Sequence, residues 1–149
     1  MARVARILGL DIGERRIGIA ISDPEGRFAV PLRVLTRRGD TADEQELRDL
    51  TQAEGVELLV VGLPLSMDGS VGAQARIVQA MAGRIGEATG LRIEFWDERL
   101  TSVQAERAPA RGRKRGGRRP PPADDRAAAL ILQGYLDQQR SKAERGPAS

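Results

Sequence analysis

Asp11 closes an apolar run, Ile7-Leu8-Gly9-Leu10-Asp11-Ile12-Gly13, of the kind that forms a buried strand. Glu98 follows a second such run in Phe95-Trp96-Asp97-Glu98-Arg99, and Asp124 opens a helical stretch. A carboxylate at the rim of a sheet loses hydration, which is costly for an ionised acid unless a cation compensates. Parallel strands deliver their C-terminal ends to one edge, where open α/β sheets place their sites. A helix packing its N-terminus against that edge adds the third acid. Carboxylates so gathered would repel by about 4 kcal/mol per pair at roughly 4 Å and an effective dielectric near 20. Divalent ions would remove that repulsion. Two of them about 4 Å apart would activate water and stabilise the leaving oxygen in phosphodiester cleavage.

Each acid also has an ordinary structural explanation. Asp124 or Asp125 suits the N-cap of a helix, Glu98 has Arg99 and Arg107 as surface partners, and Asp11 precedes a glycine as in an Asx-turn. The absences in the composition favour the metal reading. The 149 residues contain no cysteine and no histidine. That excludes disulfides, thiol nucleophiles, thiolate zinc sites and the commonest general base. A hydrolase built from this chain must use carboxylates and oxygen-preferring metals, namely Mg²⁺ or Mn²⁺.

The elements that must position these acids read as strand, strand, strand, helix, strand, helix, strand, helix, loop, helix. After the strand ending at Asp11, Arg16–Asp23 forms a second, tightly connected strand and Phe28–Leu35 a third, with Pro31 marking an edge or a bulge. Thr41–Glu54 is a helix stopped by Gly55. Leu58-Leu59-Val60-Val61-Gly62 is a strand covered on both faces, Gln74–Ala88 a helix and Leu91–Trp96 a strand. Tight turns predict antiparallel pairing of the first three strands, and the alternation of strands and helices predicts parallel pairing of the rest. The result is an α/β fold with a mixed five-stranded sheet and helices on both sides. Asp124–Gln138 is the last helix, and residues 139–149 form a polar, frayed tail.

Length sets one domain, over residues 1–138. No apolar run approaches the roughly 18 residues of a membrane span, and no signal-peptide core is present, so the expected location is cytoplasmic with no membrane partner. The net charge is +3, but residues 111–119 alone carry six positive charges: Arg111, Arg113, Lys114, Arg115, Arg118 and Arg119. Within the expected mobile loop 109–123 this patch is suited to a polyanion. It has no interleaved aromatics, so it fits phosphate tracking rather than base stacking. Arg15 and Arg16 beside Asp11, and Arg99 beside Glu98, are further candidates for the nucleic-acid backbone. Ser66 lies in the loop Pro64–Gly72, whose amides open a helix and suit a phosphate.

Four motifs in order then resemble a known family: Ile7–Gly13 with Arg16–Ala20; Val61-Gly62-Leu63-Pro64 with Met67-Asp68-Gly69-Ser70; Trp96-Asp97-Glu98-Arg99-Leu100-Thr101-Ser102; and Asp124 with Ala127–Leu136. Together they resemble the YqgF/RuvX family of pre-16S ribosomal RNA nucleases, also called Holliday junction resolvases, over about residues 5 to 138. The resemblance implies a ribonuclease-H-like fold and metal-dependent phosphodiester hydrolysis. It carries over Asp11, Glu98 and Asp124 as the acidic, metal-binding site. Asp124 is chosen over Asp125 because the family's acid stands eleven residues before the tyrosine, here Tyr135. Gly116-Gly117 and Pro120-Pro121-Pro122 depart from the family's more continuous Lys-rich stretch.

The implied reaction is endonucleolytic processing of the 5′ end of pre-16S rRNA, on free precursor RNA or the small-subunit precursor, by a monomer or homodimer. Two rivals stand beside it. One keeps the chemistry and takes branched DNA, a four-way junction, as substrate. The other is a non-catalytic RNA-binding factor in ribosome assembly, with salt-dependent binding but no cleavage.

Overall fold

The computed structural model describes residues 4–100 and 123–145. Five strands, β1 (Arg6–Ile12), β2 (Arg16–Ser22), β3 (Ala29–Thr36), β4 (Val56–Leu63) and β5 (Arg92–Asp97), form one sheet in the order β3-β2-β1-β4-β5. β1 pairs antiparallel with β2 and parallel with β4, β2 pairs antiparallel with β3, and β4 pairs parallel with β5. The mixed sheet expected from connection lengths is therefore the one observed. β3 is an edge strand. Ile19 pairs with Arg33 and Ala20 with Pro31, so Leu32 is the extra residue of a bulge beside the proline.

Helices α1 (Asp40–Glu54) and α2 (Ala73–Thr89) cover one face, and α3 (Asp125–Arg145) covers the other. Because strand side chains alternate, β1 divides its residues between the two. Leu8, Leu10 and Ile12 pack with Leu47 and Leu50 of α1 and Val78 and Ile85 of α2. Full burial of each such side chain contributes about 1.5–3 kcal/mol. Ile7, Gly9 and Asp11 face α3. Gly55 ends α1 in the left-handed conformation (φ 66°), as its place in the sequence predicts.

The α3 face is built from small residues. A Cβ on Gly9 would stand 2.7 Å from Leu132 Cβ, and one on Gly62 would meet Ile131. With Ala128, these glycines let α3 lie directly on the backbones of β1, β2 and β4. Gln133 fastens its flank to the sheet edge: Oε1 accepts from Ala29 N–H (2.9 Å) and Nε2 donates to the Arg27 carbonyl (2.8 Å).

α3 continues to Arg145, past the expected end at Gln138. Residues 137–145 are exposed but helical. Gln, Arg, Lys, Ala and Glu are strong helix formers, and Lys142 and Arg145 oppose the helix dipole in the last turn. The helix expected before the loop starts as a single 3₁₀ turn, Glu98–Leu100; its remainder, and the basic run 111–119, lie outside the described residues. Among the described residues no helix is long and apolar enough to cross a membrane.

Candidate active site

Asp11 is 1% exposed and Glu98 2% exposed, although both stand at strand ends. Alternation explains Asp11: it shares the α3 face with Ile7 and Gly9, and its Oδ2 accepts the Asp124 N–H at 3.3 Å. Glu98 follows from the same rule. Gly62 pairs with Trp96, on the α3 side, and Leu63 with Asp97, on the other, so Glu98 returns to the α3 side. Its Oε2 lies 2.8 Å from where a Cβ on Gly62 would be. Only glycine leaves that space. Leu10 pairs with Val61, so Asp11 and Gly62 are the next neighbours across β1 and β4, about 4.8 Å apart in backbone. The Glu98 carboxylate over Gly62 is thus beside Asp11.

Asp124 arrives from the helix. Gly18 is the partner of Asp11 on β2, and a Cβ there would overlap the Asp124 carbonyl. Asp124 is the N-cap of α3: its Oδ1 accepts the Ala127 N–H at 2.8 Å. The capping role read from the sequence is therefore real. It coexists with a position at the sheet edge, since the same residue donates its N–H to Asp11. With the Asp124 carboxylate turned onto its own helix, no three acids among the described residues form a ready metal cage. The donor set nonetheless suits a hard divalent cation: oxygen donors only, two of them buried carboxylates, in a cradle that a side chain at position 62 would fill.

Arg15 lies in the turn that leaves β1 and Arg16 opens β2, the turn being closed by Gly13 N–H to the Arg16 carbonyl at 2.8 Å. Both side chains are exposed. Arg99 is engaged: Nη2 meets Asp97 Oδ2 at 2.7 Å, Nε meets Oδ1 at 3.0 Å, and Nη1 donates to the Met67 carbonyl at 3.1 Å. The guanidinium hydrogen bond holds the Asp97 carboxyl below its ordinary range, against the opposing effect of its partial burial. Ser66 N–H donates to the Ser70 carbonyl (3.0 Å), and Gly69 N–H to the Ser66 carbonyl (2.8 Å). α2 starts at Gly72 without a side-chain cap.

Sequence reasoning missed an arginine staple behind the site. Arg37 Nε donates to buried Asp43 (3.1 Å) and Nη2 to Asp40 (2.9 Å), while Nη1 reaches the Gly13 carbonyl (3.4 Å). Asp43 also accepts the Arg38 N–H at 3.0 Å. This joins the start of α1 to the turn that follows Asp11. An Asp inside the first turn of α1, six residues after an Arg, was the available signal.

A mixed sheet in this order, with buried acids at its C-terminal edge and a helix bringing another, defines a ribonuclease-H-like protein. The chain belongs to the RuvX family, described as "Holliday junction resolvase", which matches residues 5–138. It is 46% identical over 131 residues to a protein of Thermosynechococcus vestitus, covering 88% of this chain and 87% of that one. It is 47% identical over 132 residues to one of Moorella thermoacetica, covering 89% and 94%. Both relatives carry the name "Putative pre-16S rRNA nuclease". Among solved structures, Thermus thermophilus RuvC in complex with a Holliday junction substrate shares the fold, with TM-score 0.59 at 14% identity, over 92% of this chain and 96% of that one.

Proposed function

We propose that this chain is a divalent-metal-dependent endonuclease that hydrolyses phosphodiester bonds in structured nucleic acid, with the 5′ end of pre-16S rRNA as its substrate. The observation that carries the reading is a pair of buried carboxylates on the α3 face, Asp11 on β1 and Glu98 over the glycine gap at position 62 of the neighbouring strand β4. Carboxylate oxygens at one sheet edge are the donor type that a hard divalent cation takes. Family membership and the printed names of the relatives support the same reaction class.

Asp11, Glu98 and Asp124 would hold Mg²⁺ or Mn²⁺. When bound, the cation supplies Lewis-acid stabilisation of the phosphoryl charge and a lowered pKa for water. The protein's own part is placement. The β1 backbone fixes Asp11, the gap over Gly62 fixes Glu98, and Asp124 keeps Oδ1 on the helix amide while Oδ2 takes no part in the cap. Arg15 and Arg16, exposed where the chain passes from β1 into β2, would neutralise backbone phosphates.

The test compares wild type with Asp11→Asn on precursor ribosomal RNA and on a synthetic four-way DNA junction, with each metal in turn. Asp11→Asn is expected to abolish cleavage while keeping the melting temperature and binding close to wild type. Unchanged turnover in that variant, with contaminating nuclease excluded, would overturn the mechanism. Cleavage of the junction in preference to the RNA would transfer the activity to branched DNA, the substrate that the family's description names.

A further inference from the structure

We infer that Arg99 is a positioning residue: its guanidinium latches the end of β5 to the loop between β4 and α2, and so fixes the aim of Glu98. The inference rests on the proposed role of Glu98 and assigns Arg99 a different task from binding phosphate.

The residues on either side of Glu98 are both part of the latch. Asp97 accepts from three donors of Arg99: its backbone N–H at 2.9 Å, Nε at 3.0 Å to Oδ1 and 3.1 Å to Oδ2, and Nη2 at 2.7 Å. This planar, charge-assisted pairing closes the 3₁₀ turn that holds Glu98. The far side of the guanidinium then reaches across to the loop, where Nη1 donates to the Met67 carbonyl at 3.1 Å. The loop is shaped to receive it. Gly69 has φ +88°, and a Cβ there would already stand 3.4 Å from Nη1, so the turn lies flat against the guanidinium. The loop is also tied internally, with Asp68 Oδ1 accepting from Ser70 N–H (2.9 Å) and Oγ–H (2.7 Å).

These contacts use Nε and one hydrogen on each terminal nitrogen, three of the five donors an arginine owns. The bridged segments are the two that enclose Glu98. β4 leads through Gly62, the floor of the Glu98 carboxylate, into the loop; β5 leads into the turn that carries the acid. A lysine could not replace this arginine, because a single ammonium cannot pair with Asp97 and reach Met67 in one planar arrangement.

The test uses Arg99→Ala, Arg99→Lys, Asp97→Ala and the Asp97→Ala/Arg99→Ala double variant. Hydrogen exchange at residues 64–72 is measured without substrate, and kcat, KM and the salt dependence of binding with it. A latch predicts faster exchange in every variant and kcat lowered about 10–100-fold by each single change, since misplacement near 1 Å costs that much. KM should stay within about twofold, the salt slope should not change, and the double variant should be no worse than the singles. If Arg99 instead contacts phosphate, Arg99→Ala raises KM and lowers the salt slope by about one. Asp97→Ala then tightens binding by releasing the guanidinium. That pattern, or unchanged exchange in Arg99→Ala, overturns the inference. The exchange measurement decides the latch even where wild type cleaves neither substrate, so the failure of either reading is seen separately.

Discussion

Adding one methyl group to Gly18 should damage the site from the neighbouring strand β2, on the face that α3 covers. A Cβ at this position would stand 1.8 Å from the Asp124 carbonyl oxygen and 2.9 Å from its Cα. Backbone on both sides leaves no flexible side chain to yield. To reach even a 3.0 Å separation, the start of α3 must retreat by about 1.2 Å, the difference between 3.0 and 1.8. That retreat breaks the Asp124 N–H bond to Asp11 and carries the Asp124 carboxylate away from it. Overpacking of this kind costs about 1–3 kcal/mol. At roughly 2–4 °C per kcal/mol for a chain of this size, the melting temperature should fall by about 2–12 °C. A shift near 1 Å in a catalytic group should lower turnover about 100-fold. Gly18→Ala is therefore assayed by thermal melting and by cleavage at saturating substrate, well below the transition. A wild-type melting temperature would refute the close seating of α3 on β2. A lowered melting temperature with unchanged turnover would confirm the packing and remove Asp124 from the reaction.

Gly83 gives the opposite expectation. It lies on the exposed side of α2 with nothing within 4 Å of a built Cβ, so Gly83→Ala should raise stability by about 1 kcal/mol in denaturant melts and leave cleavage alone. The phenol of Tyr135, the only tyrosine, is held above its ordinary 10.0, first by burial and then by the charge of Glu94. Since the folded value is the higher one, its contribution to stability is complete below pH 10 and is lost as pH rises through the folded value. Ultraviolet titration of the native protein should show the phenolate appearing later than in the urea-unfolded chain; coincident curves would contradict the burial.

The sheet was legible because its pattern is redundant. Apolar runs and glycine stops locate the strands, connection lengths set their pairing sense, and Pro31, read as an edge or a bulge, sits beside a bulge on an edge strand. Asp11 and Glu98 could be placed on a common edge because each stands at the C-terminal end of a strand, and parallel strands deliver those ends to one edge. Asp124 shows the limit of that reasoning: the sequence offers capping and a place at the edge as alternatives, and the structure gives one residue both. The staple through Arg37 and Asp43 stayed hidden because it is a tertiary pairing, with no periodic trace. Gly9, Gly18 and Gly62 were visible inside strands, where glycine signals close backbone approach. What they could not disclose is that all three serve the same helix.

The only tryptophan and the only tyrosine of the chain face each other edge to face across the α3 side of the sheet, with ring centroids 6.5 Å apart. Trp96 stands two residues before Glu98, and Tyr135 lies on the helix that Asp124 caps. The protein therefore carries a native optical ruler across the seam between α3 and β5. With α3 seated, tyrosine excitation drains into a shielded indole. If the helix lifts, phenol emission returns and the indole spectrum moves to the red. Assembly of the site is thus readable in unlabelled protein, without substrate, from light alone.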